Sequence, residues 1–340
     1  MLHQIPIFAQ VRRLTMDFFD PKWSSVNWTA HTRLLRELRS LIPFVSEGCI
    51  MKLIGSEELY LITQLDMRAI GGLDIVYRAG NFSRNSAPGR PNCRQFRSFT
   101  LTKGSPISTT YFKWFLYAQR IVIEAADLEA ILDRIPGLSS TNELDTCTST
   151  MDSRMVTESP AAYNRFPHLR TLRATTEVAK TFIRQFWLEP LQEITICRDE
   201  SGGIDSFDAL VDAMLKRGYY LLQLRTLTVE AFPPWQSLFR LLLDLGNTHG
   251  GGITTVRLPG LPHPSILRLL VGALCTIRED YKTALNYNKM ESGEVEGGLG
   301  CGDCSAAGWT CHEGTECRRF STDTVVSITK DTYVGEHSLV

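Results

Sequence analysis

Four cysteines near the C-terminal end, Cys301, Cys304, Cys311 and Cys317, run Cys-x2-Cys-x6-Cys-x5-Cys, with His312 beside the third. Zinc takes four thiolate or imidazole ligands at the corners of a tetrahedron, and a Cys-x2-Cys turn supplies two of them at a workable angle. Only "SAAGWT" separates the two ligand pairs here, which is little apolar material to brace a site. The plainer reading is a flexible Cys-containing tail. No metal or other cofactor is expected, and these four cysteines are kept as residual zinc candidates. The neighbouring "GLGCGDCSAAG" has the composition of a phosphate loop, but it follows no strand and opens no helix, so its amides are not aimed at an anion. His249 before Gly250, Gly251 and Gly252 reads as a turn rather than an oxyanion loop, and Asp199 beside Glu200 reads as a solvated pair. No Gly-x-Ser-x-Gly elbow, His-Glu-x-x-His pair or P-loop lysine occurs. The chain is expected not to be an enzyme.

The bulk properties agree. The 340 residues are 43% hydrophobic, enough for a continuous core, and Lys+Arg 36 against Asp+Glu 37 leaves a net charge of −1. No global basic field exists to bind nucleic acid. The most apolar run, "ILRLLVGALCTI", is too short to cross a bilayer and contains an arginine. "MLHQIPIFAQ" lacks the basic lead and unbroken apolar stretch of a secretory signal. Cys49, Cys93, Cys147, Cys197 and Cys275 are scattered singly, as reduced intracellular thiols are. The expected location is cytoplasmic or nuclear.

What must position any functional surface is a repeat. "HLRTL" at 168–172 recurs as "QLRTL" at 223–227, and around both the apolar residues fall at i, i+3 and i+5. Four such sets stand in order: Leu169, Leu172 and Ala174; Leu191, Ile194 and Ile196; Leu224, Leu227 and Val229; Ile253, Val256 and Leu258. Fainter sets are Val11, Leu14 and Met16; Ile62, Leu65 and Met67; Phe96, Phe99 and Leu101; and Ala118, Ile121 and Ile123. Counting alone is weak, because a chain this apolar matches the template at about 25 starts by chance.

Two features discriminate. Each strong set precedes a helix-periodic segment: 176–186, 206–218, 235–246 and 265–279. Ser206 and Ser265 stand at N-cap positions, and Gly218 and Gly246 at helix stops. Trp235 after two prolines reads as a staple at a helix start. The alternate strand positions are polar, unlike those of a sheet covered on both faces. These are Thr171, Arg173, Glu193, Thr195, Thr226, Thr228, Thr255 and Arg257. The spacing predicts an irregular leucine-rich-repeat-like α/β solenoid with a one-sided parallel sheet over 1–285, with loops at 81–92 and 139–160. A Gly/Cys-containing disordered tail is expected over 286–340. The positions where standard repeats carry a turn-bonding Asn or Cys are Glu177, Asp199, Phe232 and Leu261, so the turns must be satisfied in another way.

The stretch "FPHLRTLRAT…PLQEITICRDE…LLQLRTLTVEAFPPW" resembles the repeat region of fungal F-box proteins, over roughly 160–280 and more loosely over 5–135. No F-box is recognisable. The cysteine spacing is likewise similar to the first four ligands of the fungal binuclear zinc cluster, without its remaining two cysteines or its interleaved lysines and arginines. The F-box resemblance implies substrate recognition for a ubiquitin ligase, with the ligase adaptor as partner only if an F-box is present elsewhere. The expected function is a non-enzymatic scaffold that binds protein, and neither nucleic acid nor membrane, through the eight alternate residues on the concave face. An α/β enzyme of unrecognised class and a zinc-binding tail that mediates an interaction are the alternatives.

Overall fold

A computed structural model describes residues 11–17, 47–55, 65–78, 92–102, 116–124, 138–147, 165–198, 206–249, 252–260 and 326–329, with residues 36, 39, 42, 59, 128, 262, 266, 269, 270, 273 and 274. The fold is a parallel solenoid, and the chain divides into two compact units, Met1–Leu169 and Arg170–Val340. Residues 81–91 and 148–160 of the two expected loops, the tail cysteines and most of the helix at 265–279 lie outside the described residues, whereas the start of the second expected loop is a turn and a strand, Glu143–Thr146, and Asn92 opens a short strand.

In the first unit the sheet runs β1 (Arg13–Asp17), β2 (Ile50–Gly55), β4 (Gly72–Tyr77), β6 (Phe96–Leu101), β7 (Arg120–Ile123) and β8 (Glu143–Thr146), each parallel to the next. Leu53, Ile75, Phe99, Ile121 and Leu144 pair in one row and are fully buried, so the repeat length here is 22 to 24 residues. β3 (Asp66–Met67) and β5 (Asn92–Cys93) form a separate two-stranded parallel ladder. The set Ile62, Leu65 and Met67 is therefore not a strand of the main sheet. That strand is β4, carrying Ile70, Leu73 and Ile75 on the same spacing. β2 and β8 had no expected counterpart.

In the second unit β9 (Thr171–Ala174), β10 (Glu193–Ile196), β11 (Thr226–Val229) and β12 (Thr255–Leu258) are parallel and in register. The twelve apolar positions read from the four strong sets are all buried, none more than 5% exposed. Against them pack α1 (Thr176–Gln185), α2 (Phe207–Lys216) and α3 (Trp235–His249). Val178, Ala179, Phe182 and Ile183 form the buried stripe of α1, and Leu210, Val211 and Met214 that of α2. Burying each large side chain contributes about 1.5–3 kcal/mol. Ile266, Leu269, Leu270, Ala273 and Leu274 are helical at the described points beyond β12. A last strand, β13 (Val326–Thr329), pairs antiparallel with β12. It is the described part of 286–340, and the repeat spacing gave no sign of it.

The turns are satisfied by the backbone. Before five strands a hydrogen bond closes a four-residue turn: Ile70 N donates to Met67 O, Thr141 to Leu138, Leu169 to Phe166, Leu191 to Leu188 and Leu224 to Leu221. Both ends of every such turn are buried. The repeat thus has a fourth inward position three residues ahead of the expected set, and Met67 occupies it. The next residue but one before the strand's first apolar residue then offers its carbonyl to the following repeat. The carbonyls of Cys49, Gln119, Arg170, Gln192 and Arg225 each accept two successive N–H groups, as Gln192 O does from Arg225 (2.9 Å) and Thr226 (3.0 Å). At Cys49 the donors are Gly71 and Gly72, and a Cβ on Gly71 would stand 2.7 Å from the Glu47 carbonyl oxygen. Only glycine admits that approach.

Three local expectations need correction. Ser206 is the N-cap of α2, but with a left-handed φ of 57° and no capping hydrogen bond. Its hydroxyl serves Glu177 instead: burial pushes that carboxyl up, and Ser206 and Lys180 outweigh this and hold it below its usual range. Gly246 lies inside α3 rather than at its end, whereas Gly218 stands just past the Arg217 C-cap of α2, where a helix stop was expected, and opens a short 3-10 turn, Gly218–Tyr220. Cys147 and Cys197 are disulfide-bonded, whereas Cys49 and Cys93 are in no disulfide, with burial raising the Cys49 pKa.

Candidate functional site

Register brings all eight expected surface residues together on four adjacent strands. Thr171, Glu193, Thr226 and Thr255 form one row across β9–β12, and Arg173, Thr195, Thr228 and Arg257 form the next. They are half-buried rather than bathed in water, and Thr195, at 8% exposure, is buried. Their own neighbours cover them. Long side chains lie down across the sheet, because strands about 4.8 Å apart let an arginine reach a carboxylate two strands away.

Two carboxylates organise this open face. Glu193 Oε1 accepts from Arg257 Nη1 at 2.7 Å and from Thr228 Oγ1 at 3.4 Å. Glu230 Oε1 accepts from Arg173 Nη2 at 2.6 Å and Nε at 3.2 Å, while the Glu230 backbone carbonyl accepts from Arg198 Nε. Glu230 was missed because it follows the last apolar residue of β11. The signal was present: continuing the alternation Thr226, Thr228 by one step reaches it. At roughly 40% exposure of the arginine side chains, each pair contributes at most about 1 kcal/mol. Their larger effect is to fix where the guanidinium groups stand.

At the opening end of the strands the face is hollowed. A depression of about 370 Å³ is lined by Thr171, Gln192, Glu193, Gln223, Arg225 and Thr226. Arg225 is held there by its own turn, with Nη1 donating to the carbonyls of Leu222 (2.9 Å) and Leu224 (3.1 Å). The lining includes no histidine, cysteine or serine, and its one carboxylate is already engaged by Arg257 and Thr228.

The exposed aromatic groups of this unit flank the same turns. Trp187 (42% exposed) packs at a tilt on Tyr220 with ring centres 4.8 Å apart, and Tyr219 (50%) does so at 3.9 Å, with Arg217 over the Tyr220 ring at 5.4 Å. Leu222, mid-turn, is 39% exposed. Trp235, the first residue of α3, packs on Phe232 at 5.7 Å, as a staple at that helix start does.

The first unit arranges its outward side chains differently. Lys52, Asp74, Ser98, Arg120 and Glu143 make one row, with Ser98 Oγ donating to Asp74 (2.8 Å) and Arg120 pairing with Glu143 (3.0 Å). The next row is Ile54, Val76, Thr100, Val122 and Asp145, largely apolar. Asp66, hydrogen-bonded to the Arg68 side chain and backbone, is held down to about 2, on an exposed turn. Among the described residues no group of three or more His, Cys, Asp or Glu converges as a metal site, and no helix is long and apolar enough to cross a membrane. Cys301, Cys304, Cys311 and Cys317 lie outside the described residues. No protein-family model matches the chain, and no curated protein does.

Proposed function

We propose that the chain is a non-enzymatic protein-interaction scaffold that holds its partner on the open face of β9–β12. One observation carries this reading. A parallel sheet is covered by helices on one side, while the other presents two registered rows of polar side chains whose arginines are held in place. Such a face has hydrogen-bonding capacity and little apolar area, which suits a wet interface. The resemblance of 160–280 to fungal F-box repeat regions supports a role in substrate recognition, with a ligase adaptor engaged through an F-box located elsewhere. A cytoplasmic or nuclear location is part of the proposal. The disulfide-bonded Cys147 and Cys197 oppose it, because disulfides persist in oxidising compartments.

The test is Arg173→Gln with Arg257→Gln. Glutamine still donates to Glu230 and Glu193, whereas glutamate would set like charges against them. The melting temperature is expected to stay within a degree or two, and affinity for a protein partner recovered with the wild-type chain to fall about tenfold. Unchanged affinity would move the interface to the helices or the turns. Co-purification of the ligase adaptor tests the F-box part separately.

A further inference from the structure

The open face of the second unit is cationic in a chain whose net charge is −1. Arg173 and Arg257 are matched by Glu230 and Glu193. Arg225 and Arg198 are exposed and meet no carboxylate among the described residues, both spending donors on backbone carbonyls instead. A guanidinium held by carbonyls keeps its full charge and loses its freedom to turn, which is what a preorganised anion receptor needs. Arg225 stands in the depression beside the amides of Gln192 and Gln223, for which no side-chain partner exists among the described residues, and beside the hydroxyls of Thr171 and Thr226. The cup is therefore rich in free donors, while the one carboxylate lining it is taken.

Resting on the interaction reading above, we infer that this face binds an extended acidic peptide, one carboxylate entering the depression against Arg225, Gln192 and Gln223. Arg198 lies beyond the opposite end of β10, so the two cationic points are about 15–20 Å apart along the strands. A single small carboxylic acid cannot touch both. A peptide of five or six extended residues with acids at each end can. Trp187 and Leu222 at the flanking turns offer apolar contact to whatever residue precedes the first acid.

The experiment is fluorescence anisotropy of the full chain with a labelled decaglutamate peptide at moderate salt, beside labelled decalysine and a uridine decamer. Decaglutamate is expected to bind and decalysine not. Arg225→Gln should weaken binding about tenfold, Gln192→Ala with Gln223→Ala several-fold, and Arg198→Gln several-fold, all at unchanged melting temperature. Equal affinity for wild type and Arg225→Gln, no binding of decaglutamate, or tighter binding of the uridine decamer would each overturn the inference. The broader reading fails separately, if the Arg173→Gln/Arg257→Gln variant retains its protein partner.

Discussion

The two units of this chain solve one problem with opposite resources. The first has short repeats of 22 to 24 residues between Leu53 and Leu144, with two threonines, Thr141 and Thr146, fully buried in inward positions. In the second, paired residues Leu172, Ile194, Leu227 and Val256 stand 22, 33 and 29 apart, and all the inward positions of its strands are apolar. The extra residues of the second unit go into α1, α2 and α3, which bring their own buried stripes. The first unit is the more regular in spacing and the less regular in composition. Its register is held by the backbone, so an inward position need only be small and satisfied. Thr141 meets that condition, its hydroxyl donating to the Ala118 carbonyl of the preceding repeat at 3.2 Å.

Leu227→Asp puts an unpaired charge in the centre of the second unit, where Leu227 pairs with Ile194 on one side and Val256 on the other. The cost should exceed about 4 kcal/mol and remove the helical signal of α1–α3, measured by circular dichroism. A variant that keeps those helices would show that they do not depend on the strand core, and the contrast between units would fail there.

Deleting 286–340 sharpens the contrast at its edge. It strips β13 from β12 and bares a row of unpaired N–H and C=O groups. The melting temperature is expected to fall by a few degrees, with self-association visible in sedimentation. An unchanged, monomeric truncation would mean that β13 contributes nothing to the second unit.

The smallest effect belongs to the first unit. Thr141→Val leaves the Ala118 carbonyl without its hydroxyl donor and should cost about 1 kcal/mol in urea unfolding. For comparison, Leu224→Ala in the second unit should cost about 2–5 kcal/mol. A stabilised Thr141→Val would show that the position simply wants an apolar group, and the first unit would then differ from the second only in length.

The sequence disclosed most where side chains alone set the structure. β9–β12, their inward residues and the three helices were legible because Leu, Ile and Val recur at strand spacing and then at helix spacing. The eight outward residues followed from alternation, and register then placed them as two rows. β2 and β8 escaped because Gly48 and Thr141 stand where the template asks for an apolar residue. β3 was mistaken for a main strand because Met67, a turn residue facing the core, imitates the end of a strand set. The link from Ser206 to Glu177 and the depression around Arg225 depend on where loops return in space, which no local spacing encodes.

The carbonyls that accept two N–H groups have a consequence for how such a surface changes over time. At Cys49, Gln119, Arg170, Gln192 and Arg225 the link to the following repeat is made by the main chain, so that link does not depend on which side chain stands there. Five positions, one for each of five repeats, hold residues as unlike as cysteine, glutamine and arginine. Two of them, Gln192 and Arg225, line the hollow on the open face. A lineage could rewrite what the hollow recognises by exchanging those two side chains, with the main-chain link between repeats passed on intact.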